Sequence, residues 1–168
     1  SMQAAIRVSI EQAIIAGTGT LGQPPGLIGE QAIPSESGAA EILNLLEDVQ
    51  TVLDAGADVE RVSIIASAAD FKSLLAHGTP FDLNHQAGAA TTGAVHNIAG
   101  IGLRFSPHLT TGQALTGDFS RLTVAYYGEP ELLANPFIHA ASGGLRLQAW
   151  QHAGAVVDQV SAFVRRAG

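Results

Sequence analysis

The apolar residues of this chain change their repeat part-way along, and that change limits the folds open to it. In "AAEILNLLEDVQTVLDAG", Ile42, Leu45, Leu46, Val49, Val52 and Leu53 recur every three or four residues, so a helix gathers them into one stripe. In "GIGLRFS" and "RLTVAYY", Ile101, Leu103 and Phe105, then Leu122, Val124 and Tyr126, alternate as the two faces of a strand require. A chain that is helical first and extended later reads as an α+β protein, with helices packed on a mostly antiparallel sheet.

Local signals fill in this outline. "QAAIRVSIEQAIIAG" predicts an opening helix on Ile6, Ile10, Ala13 and Ile14, with Gly17 at the C′ position, where a left-handed backbone suits glycine. Thr18 to Ser37 is rich in Gly, Pro and Ser and reads as a connection turned at Pro24-Pro25-Gly26. Glu41 near the start of the central helix suits the helix dipole, and Gly56 follows its end. "RVSIIAS" predicts a buried strand over Val62–Ala66. Ser67 and Asp70 then have capping spacing for a short helix with Phe71, Leu74 and Leu75 facing inward. "GTPFDLNHQAGAATTGAVHN" holds no period and reads as a long loop, a kind usually kept for function. "TTGQALTGDFS" predicts turns at Thr111-Gly112 and Gly117-Asp118, and "GGLRLQAWQHAG" and "AVVDQVSAFVRRA" supply further extended segments. No internal repeat is present.

Charge removes several functions. Fifteen acids against eight bases give a formal −7, and Lys72 is the single lysine. A basic footprint for phosphates is missing, so specific nucleic-acid binding is not expected. Arg165-Arg166 reads as a solvated chain end. The absence of cysteine excludes disulfides and thiolate sites. No apolar run approaches the roughly 20 residues of a membrane-spanning helix.

The motifs with chemical potential do not hold up. "GTGTLGQPPG" spells G-x-G-x-x-G at Gly17, Gly19 and Gly22. A dinucleotide site needs those glycines between a strand and a following helix; here they follow a helix and run into two prolines. They read as a helix stop, and no cofactor is expected. His77, His85, His96, His108, His139 and His152 are scattered without metal-ligand spacing, so no metal is expected. Ser142 and Ser67 lack a nucleophile elbow and read as turn and cap residues. Glu129 and Glu131 flank Pro130 in what reads as a solvated turn, "YYGEPELL". Asp118 in "TGDFS" reads as a structural acid bonding nearby backbone amides.

The order of segments is more informative than any one motif. A helix ending in "EQAIIAGTGTLGQPPGLIG" resembles the close of the spine helix in tailed-phage major capsid proteins with the HK97-like fold. "LLEDVQTVLDAGADVERVSIIASAADFKSLLAH" is similar to that family's helix, strand and short helix. "GIGLRFSPHLTTGQALTGDFSRLTV" and "VVDQVSAFVRR" resemble its later strands, in the same order.

The resemblance implies a structural protein that catalyses no reaction. It implies a subunit that associates with itself into pentamers and hexamers of an icosahedral shell, found in the virion and, before assembly, in the host cytoplasm. It implies an axial domain over residues 37–152, and a remnant of the peripheral domain over residues 1–36 and 153–168. The family's N-terminal arm, extended loop and most of its spine helix have no counterpart, so the chain reads as an N-terminally truncated member. A single lysine argues against lysine–asparagine cross-linking. The loop Gly78–Gly93 resembles the axial tip, with His85, Ala89 and Ala90 as expected subunit contacts. Two alternatives stay open: an encapsulin-type compartment of the same fold, and a small α+β enzyme whose histidines converge in space.

Overall fold

The computed structural model describes residues 2–20, 23–30, 32–76, 96–135, 137 and 144–168. Helix α1 spans Met2–Ala16 and α2 spans Ile42–Asp54. The α2 stripe lies where its period predicts, with Leu45, Val49 and Val52 buried and Ile42, Leu46 and Leu53 packed at its margins. The helix stops in a Schellman arrangement: Gly56 N–H donates to Leu53 O at 2.9 Å and Ala57 N–H to Val52 O at 3.3 Å. Gly56 takes φ +90°, a left-handed backbone that a residue with a Cβ adopts only under strain.

Among the described residues eight strands follow the chain as β1 (Ser35–Ser37), β2 (Val62–Ser67), β3 (His96–Ile98), β4 (Ile101–Ser106), β5 (Ala114–Asp118), β6 (Leu122–Asn135), β7 (Arg146–Val157) and β8 (Phe163–Ala167). A short helix α3, Phe71–Ala76, follows β2 through a 3-10 turn. Six strands form one mixed sheet in the order β1-β8-β5-β2-β4-β3, and β6 and β7 form a separate antiparallel ribbon. Within the six-stranded sheet β1·β8 and β2·β4 are parallel; β2·β5, β3·β4 and β5·β8 are antiparallel.

Three strands were hidden in the sequence: β1, read as part of a connection, β3, whose His96 and Asn97 were read as the end of a long loop, and the central β5. Residues 117–118 were expected in a turn, yet β5 is buried along its whole length between β2 and β8. A strand covered on both faces shows no polar alternation, and these small residues give no apolar run either. Its side chains divide between two cores. Ala114 joins the α2 core with Ile64, Leu103 and Val164, while Leu115 joins Phe163, Ala162, Leu27 and Ile33 on the opposite face.

Two more expectations change. "YYGEPELL" is not a turn: β6 continues through it, with a register shift between Tyr127 and Glu131. A bulge there accommodates Pro130, which has no N–H to give to a ladder. Glu129 and Glu131 are exposed as expected. Phe71 does not face the core; it is 45% exposed, stacked edge-on against Phe105 and His96 at centroid distances of 5.0 and 5.6 Å. Leu74 is buried beneath it.

The glycines after α1 have a different purpose from the one their position suggests. Left-handed backbone occurs at Gly19, with φ +69°, and not at Gly17. Gly17 still donates to Ala13 O at 3.1 Å, continuing the helical pattern. The chain then doubles back: Gly26, Leu27 and Ile28 N–H groups donate to the carbonyls of Gly17, Ile14 and Ile15 at 2.9, 2.8 and 3.1 Å. The last carbonyls of α1 are thus satisfied by backbone, which has to come very close to deliver those bonds. A Cβ on Gly17 would strike the carbonyl oxygens of Pro24 and Ala13, and one on Gly26 would strike the Gly17 nitrogen. Gly17→Ala is therefore expected to cost about 1–3 kcal/mol through backbone displacement, read as a lowered urea midpoint. An unchanged midpoint would show that the return strand shifts freely.

Residue 152 lies inside β7, paired with Tyr127, and β8 is an inner strand of the six-stranded sheet between β1 and β5. β8 thus returns the chain to the sheet that holds β1 to β5.

Candidate functional site

Three buried polar centres described in the six-stranded body are structural. Arg166 was expected at a solvated chain end but is 3% exposed. Strand alternation turns Val164 and Arg166 toward α2, and Phe163 and Arg165 toward the opposite core. Arg166 donates Nε to Asp48 Oδ2 at 3.0 Å and Nη2 to Asp48 Oδ1 at 2.6 Å, a two-pronged pair. Its remaining donors reach Ser37 O and Asn44 O, so one guanidinium ties β8, β1 and α2 together. Burial pushes the Asp48 carboxyl up, against the opposing hydrogen bonds and charge of Arg166. Arg165 points the other way and donates to Ile28 O. One signal in the sequence marks this centre: Asp48 stands on the apolar stripe of α2, three residues after Leu45 and four before Val52, where an acid needs a buried partner.

Asp118 closes β5, as its sequence context suggests. Its Oδ1 accepts from Ser120 N–H at 3.0 Å and from Ser120 Oγ at 2.6 Å, and Arg121 approaches Oδ2 at 3.8 Å. The Ser120 hydrogen bonds hold its carboxyl below the usual carboxylate range. A depressed folded value contributes stability above the unfolded value, and that contribution is lost as pH falls through the folded one. The stability advantage of the parent over Asp118→Asn is therefore expected to shrink below about pH 4. Thermal melts of both proteins across acidic pH check this; a constant gap would sink it.

Ser67 and Asp70 share a different task from the expected reciprocal cap. Ser67 Oγ accepts from Ala69 N–H at 3.2 Å and donates to Leu109 O at 3.0 Å. Asp70 Oδ2 instead accepts from Gly112 N–H at 2.7 Å, holding the 111–112 turn against the 3-10 turn.

The chemical alternatives find no support among the described residues. No group of three or more His, Asp or Glu is placed to hold a metal. His96 lies against Phe71 and Phe105 in an aromatic cluster. Gly17 and Gly19 stand at the C-terminal end of α1, whose negative dipole end disfavours phosphate. No described helix is long and apolar enough to cross a membrane. The expected axial contacts His85, Ala89 and Ala90 lie outside the described residues, as do His77, His139 and Ser142.

What remains is a surface that sequence reading missed. The ribbon exposes Tyr126, Tyr127, Leu132 and Val156 at 61–68%, more apolar side chain than a surface without a partner usually shows. Beside it, α1 and β7 enclose an open groove of about 1000 Å³, lined by residues such as Ile6, Ile10, Ala13, Ala149, Trp150 and Ala153. The alternation in "RLTVAYY" announced a strand but not that Tyr126 and Tyr127 at its end would both stay exposed.

A family model described as the phage capsid family matches residues 1–166. No curated protein matches the chain. Among solved structures, that of Gordonia phage Cozz superposes with a TM-score of 0.65 at 19% identity, covering 98% of this chain and 60% of that one. The capsid of an empty GTA particle, computed with C5 symmetry, gives 0.63 at 14% identity and covers 98% and 65%. A holo-SrpI encapsulin complex from Synechococcus elongatus PCC 7942 gives 0.63 at 13% identity and covers 98% and 62%. The chain spans less than two thirds of the length of these neighbours, and at such identities the likeness is one of fold.

Proposed function

This chain belongs to the phage capsid family, and on that premise we propose that it serves as a major capsid subunit of a tailed phage or prophage. Its α+β fold is the HK97-like capsid fold expected from the resemblance. The observation that carries the proposal is the family match over nearly the entire chain.

On this reading the protein performs no reaction; its work is association with copies of itself into pentamers and hexamers. Each contact needs little energy, because a closed shell repeats it many times and every subunit is held by several. A formal charge of −7 suits a container that must not grip the DNA inside it. The six-stranded body fits the axial role, and α1 with the β6–β7 ribbon fits the peripheral one. The axial contact at His85, Ala89 and Ala90 remains part of the proposal and rests on the resemblance alone. The site of action is the virion, reached by assembly in the host cytoplasm.

An encapsulin-type compartment uses the same fold, and its structure superposes as well as the phage ones. The family match favours the phage reading. Electron microscopy and light scattering on protein expressed from its whole gene test it. Uniform hollow shells, or rings of five and six, are the expected result. A monomer at every concentration would overturn the proposal, and shells filled with one cargo protein would move it to the compartment reading.

A further inference from the structure

The groove beside α1 follows the open edge of a strand. Its β7 wall consists of Leu147 and six consecutive residues, Ala149–Gly154. A depression on one face of a ribbon is lined by alternate residues only, so a consecutive run means that the groove tracks the backbone edge. Among the described residues β7 pairs with β6 alone, which leaves the N–H and C=O groups of that edge without a ladder. The facing wall is α1, which offers Ala5, Ile6, Ile10, Ala13 and Ile14. No lining residue is Asp, Glu, Lys or Arg, in a chain whose formal charge is −7. An open edge facing an apolar helix across a gap is the arrangement by which domains accept an added strand. Six residues of edge give roughly 20 Å of ladder.

The two edges of the ribbon differ in how they are protected. β6 carries Glu129, Pro130 and Glu131 at its register shift, the features that natural sheets use to blunt an edge. From Leu147 to Val157, β7 carries no proline and no formally charged residue. Beyond its protected stretch β6 ends in Leu132–Asn135, which is extended, uncharged and unpaired on its outer side among the described residues. Leu132 and Leu133 are 63% and 46% exposed.

We propose that the β7 edge of one copy accepts, as a third strand, the Leu132–Asn135 segment of a neighbouring copy. The choice of a second copy as partner rests on the shell reading above; the strand-accepting groove does not. Groove and segment are different surfaces, so every copy offers both. Such a contact is head-to-tail, and head-to-tail contacts close into rings when the rotation permits. Leu132 enters the uncharged groove while Leu133 points to the other face, and the added backbone extends the ladder along part of the edge that β7 leaves open.

Two variants test this in the purified chain. Ser9 is exposed and lines the groove, so Ser9→Trp blocks the groove without disturbing a core. Leu132→Glu places a charge on the entering segment. Each variant alone is expected to weaken self-association of the parent by at least about tenfold in Kd, by sedimentation or light scattering. An equimolar mixture retains one working groove and one working segment. It is expected to form a one-to-one dimer and nothing larger, with slowed hydrogen exchange at those alternate amides of 149–154 that point away from β6. A parent that stays monomeric to about 1 mM, variants that associate like the parent, or a mixed dimer without that protection would each overturn the contact. Normal shells built from Leu132→Glu subunits would remove this contact and leave the shell reading intact. Absence of shells from the parent would remove the shell reading, while the mixing experiment still judges the groove.

Discussion

Arg166→Met is expected to destabilise the protein by about 3–5 kcal/mol at neutral pH. The cost comes less from the lost attraction than from what is left behind. Asp48 is 1% exposed and has no water to replace the guanidinium that now holds both its oxygens. The carbonyls of Ser37 and Asn44 lose their donors as well. A second substitution separates these causes. In Asp48→Leu with Arg166→Met, the buried charge is gone, and most of the stability is expected to return, because a buried pair and a well-packed apolar pair are of similar worth. The pH dependence supplies a further check. Burial already pushes Asp48 up, and in Arg166→Met nothing opposes it. A folded value above the unfolded one means that the folded state binds the extra proton, so stability is gained at low pH and lost as pH rises through the folded value. The deficit of Arg166→Met is thus largest at neutral pH and narrows toward about pH 4. Urea denaturation at both pH values measures it, and an equal deficit at each would show that Asp48 carries no charge in the fold.

Phe163→Ala is expected to cost a similar amount, about 3–5 kcal/mol, for a different reason. Phe163 is fully buried in the smaller core with Leu27, Ile33, Leu115 and Ala162, and its ring meets that of Phe119 edge-on at 5.4 Å. Gly117 leaves the space the ring occupies: a Cβ there would strike the Phe163 ring and the Ala162 carbonyl. Removing the ring opens a cavity between β5 and the residues 27–33 that cover this face. The sheet cannot collapse to fill it, because β5 is pinned between β2 and β8. The double variant Phe163→Ala with Gly117→Ala is expected to lose more than Phe163→Ala alone, since the new methyl still meets the Ala162 carbonyl after the ring is gone. A smaller loss would indicate that the backbone gives way at that carbonyl. The readout is again the denaturation midpoint, with the change in α1 placement followed through Trp150 fluorescence, as Trp150 lines the groove beside that helix.

Much of the fold was legible from repeats of three, four and two residues. The stripe from Ile42 to Leu53 became the buried face of α2, and Gly56 became its Schellman stop. Val62–Ala66, Ile101–Phe105 and Leu122–Tyr126 became strands. These elements are readable because each has a buried side and an exposed side, and the contrast is written along the chain. β5 was not readable, because a short strand buried on both faces carries no contrast. "YYGEPELL" misled because Pro and Gly mark a turn and a bulge alike, and only the partner strand distinguishes them. Gly17 was placed at its helix end, but its reason, the return of Pro24 and Gly26 against it, involves residues whose approach no local pattern states.

By itself the sequence determined the α+β class, the helix stops, the capsid resemblance and the absence of any cysteine or basic footprint. Those properties follow from local backbone preference and from composition, which act between near neighbours or over the whole chain at once. The tertiary structure alone decided that the last two arginines are a buried anchor and a half-buried strut. It also decided that β8 lies inside the six-stranded sheet, and that one edge of β7, unpaired among the described residues, runs beside an uncharged helix wall. Asp48 and Arg166 are 118 positions apart. Burial and free edges belong to pairs of distant segments, and a strand's own residues do not record whether another strand will lie beside it.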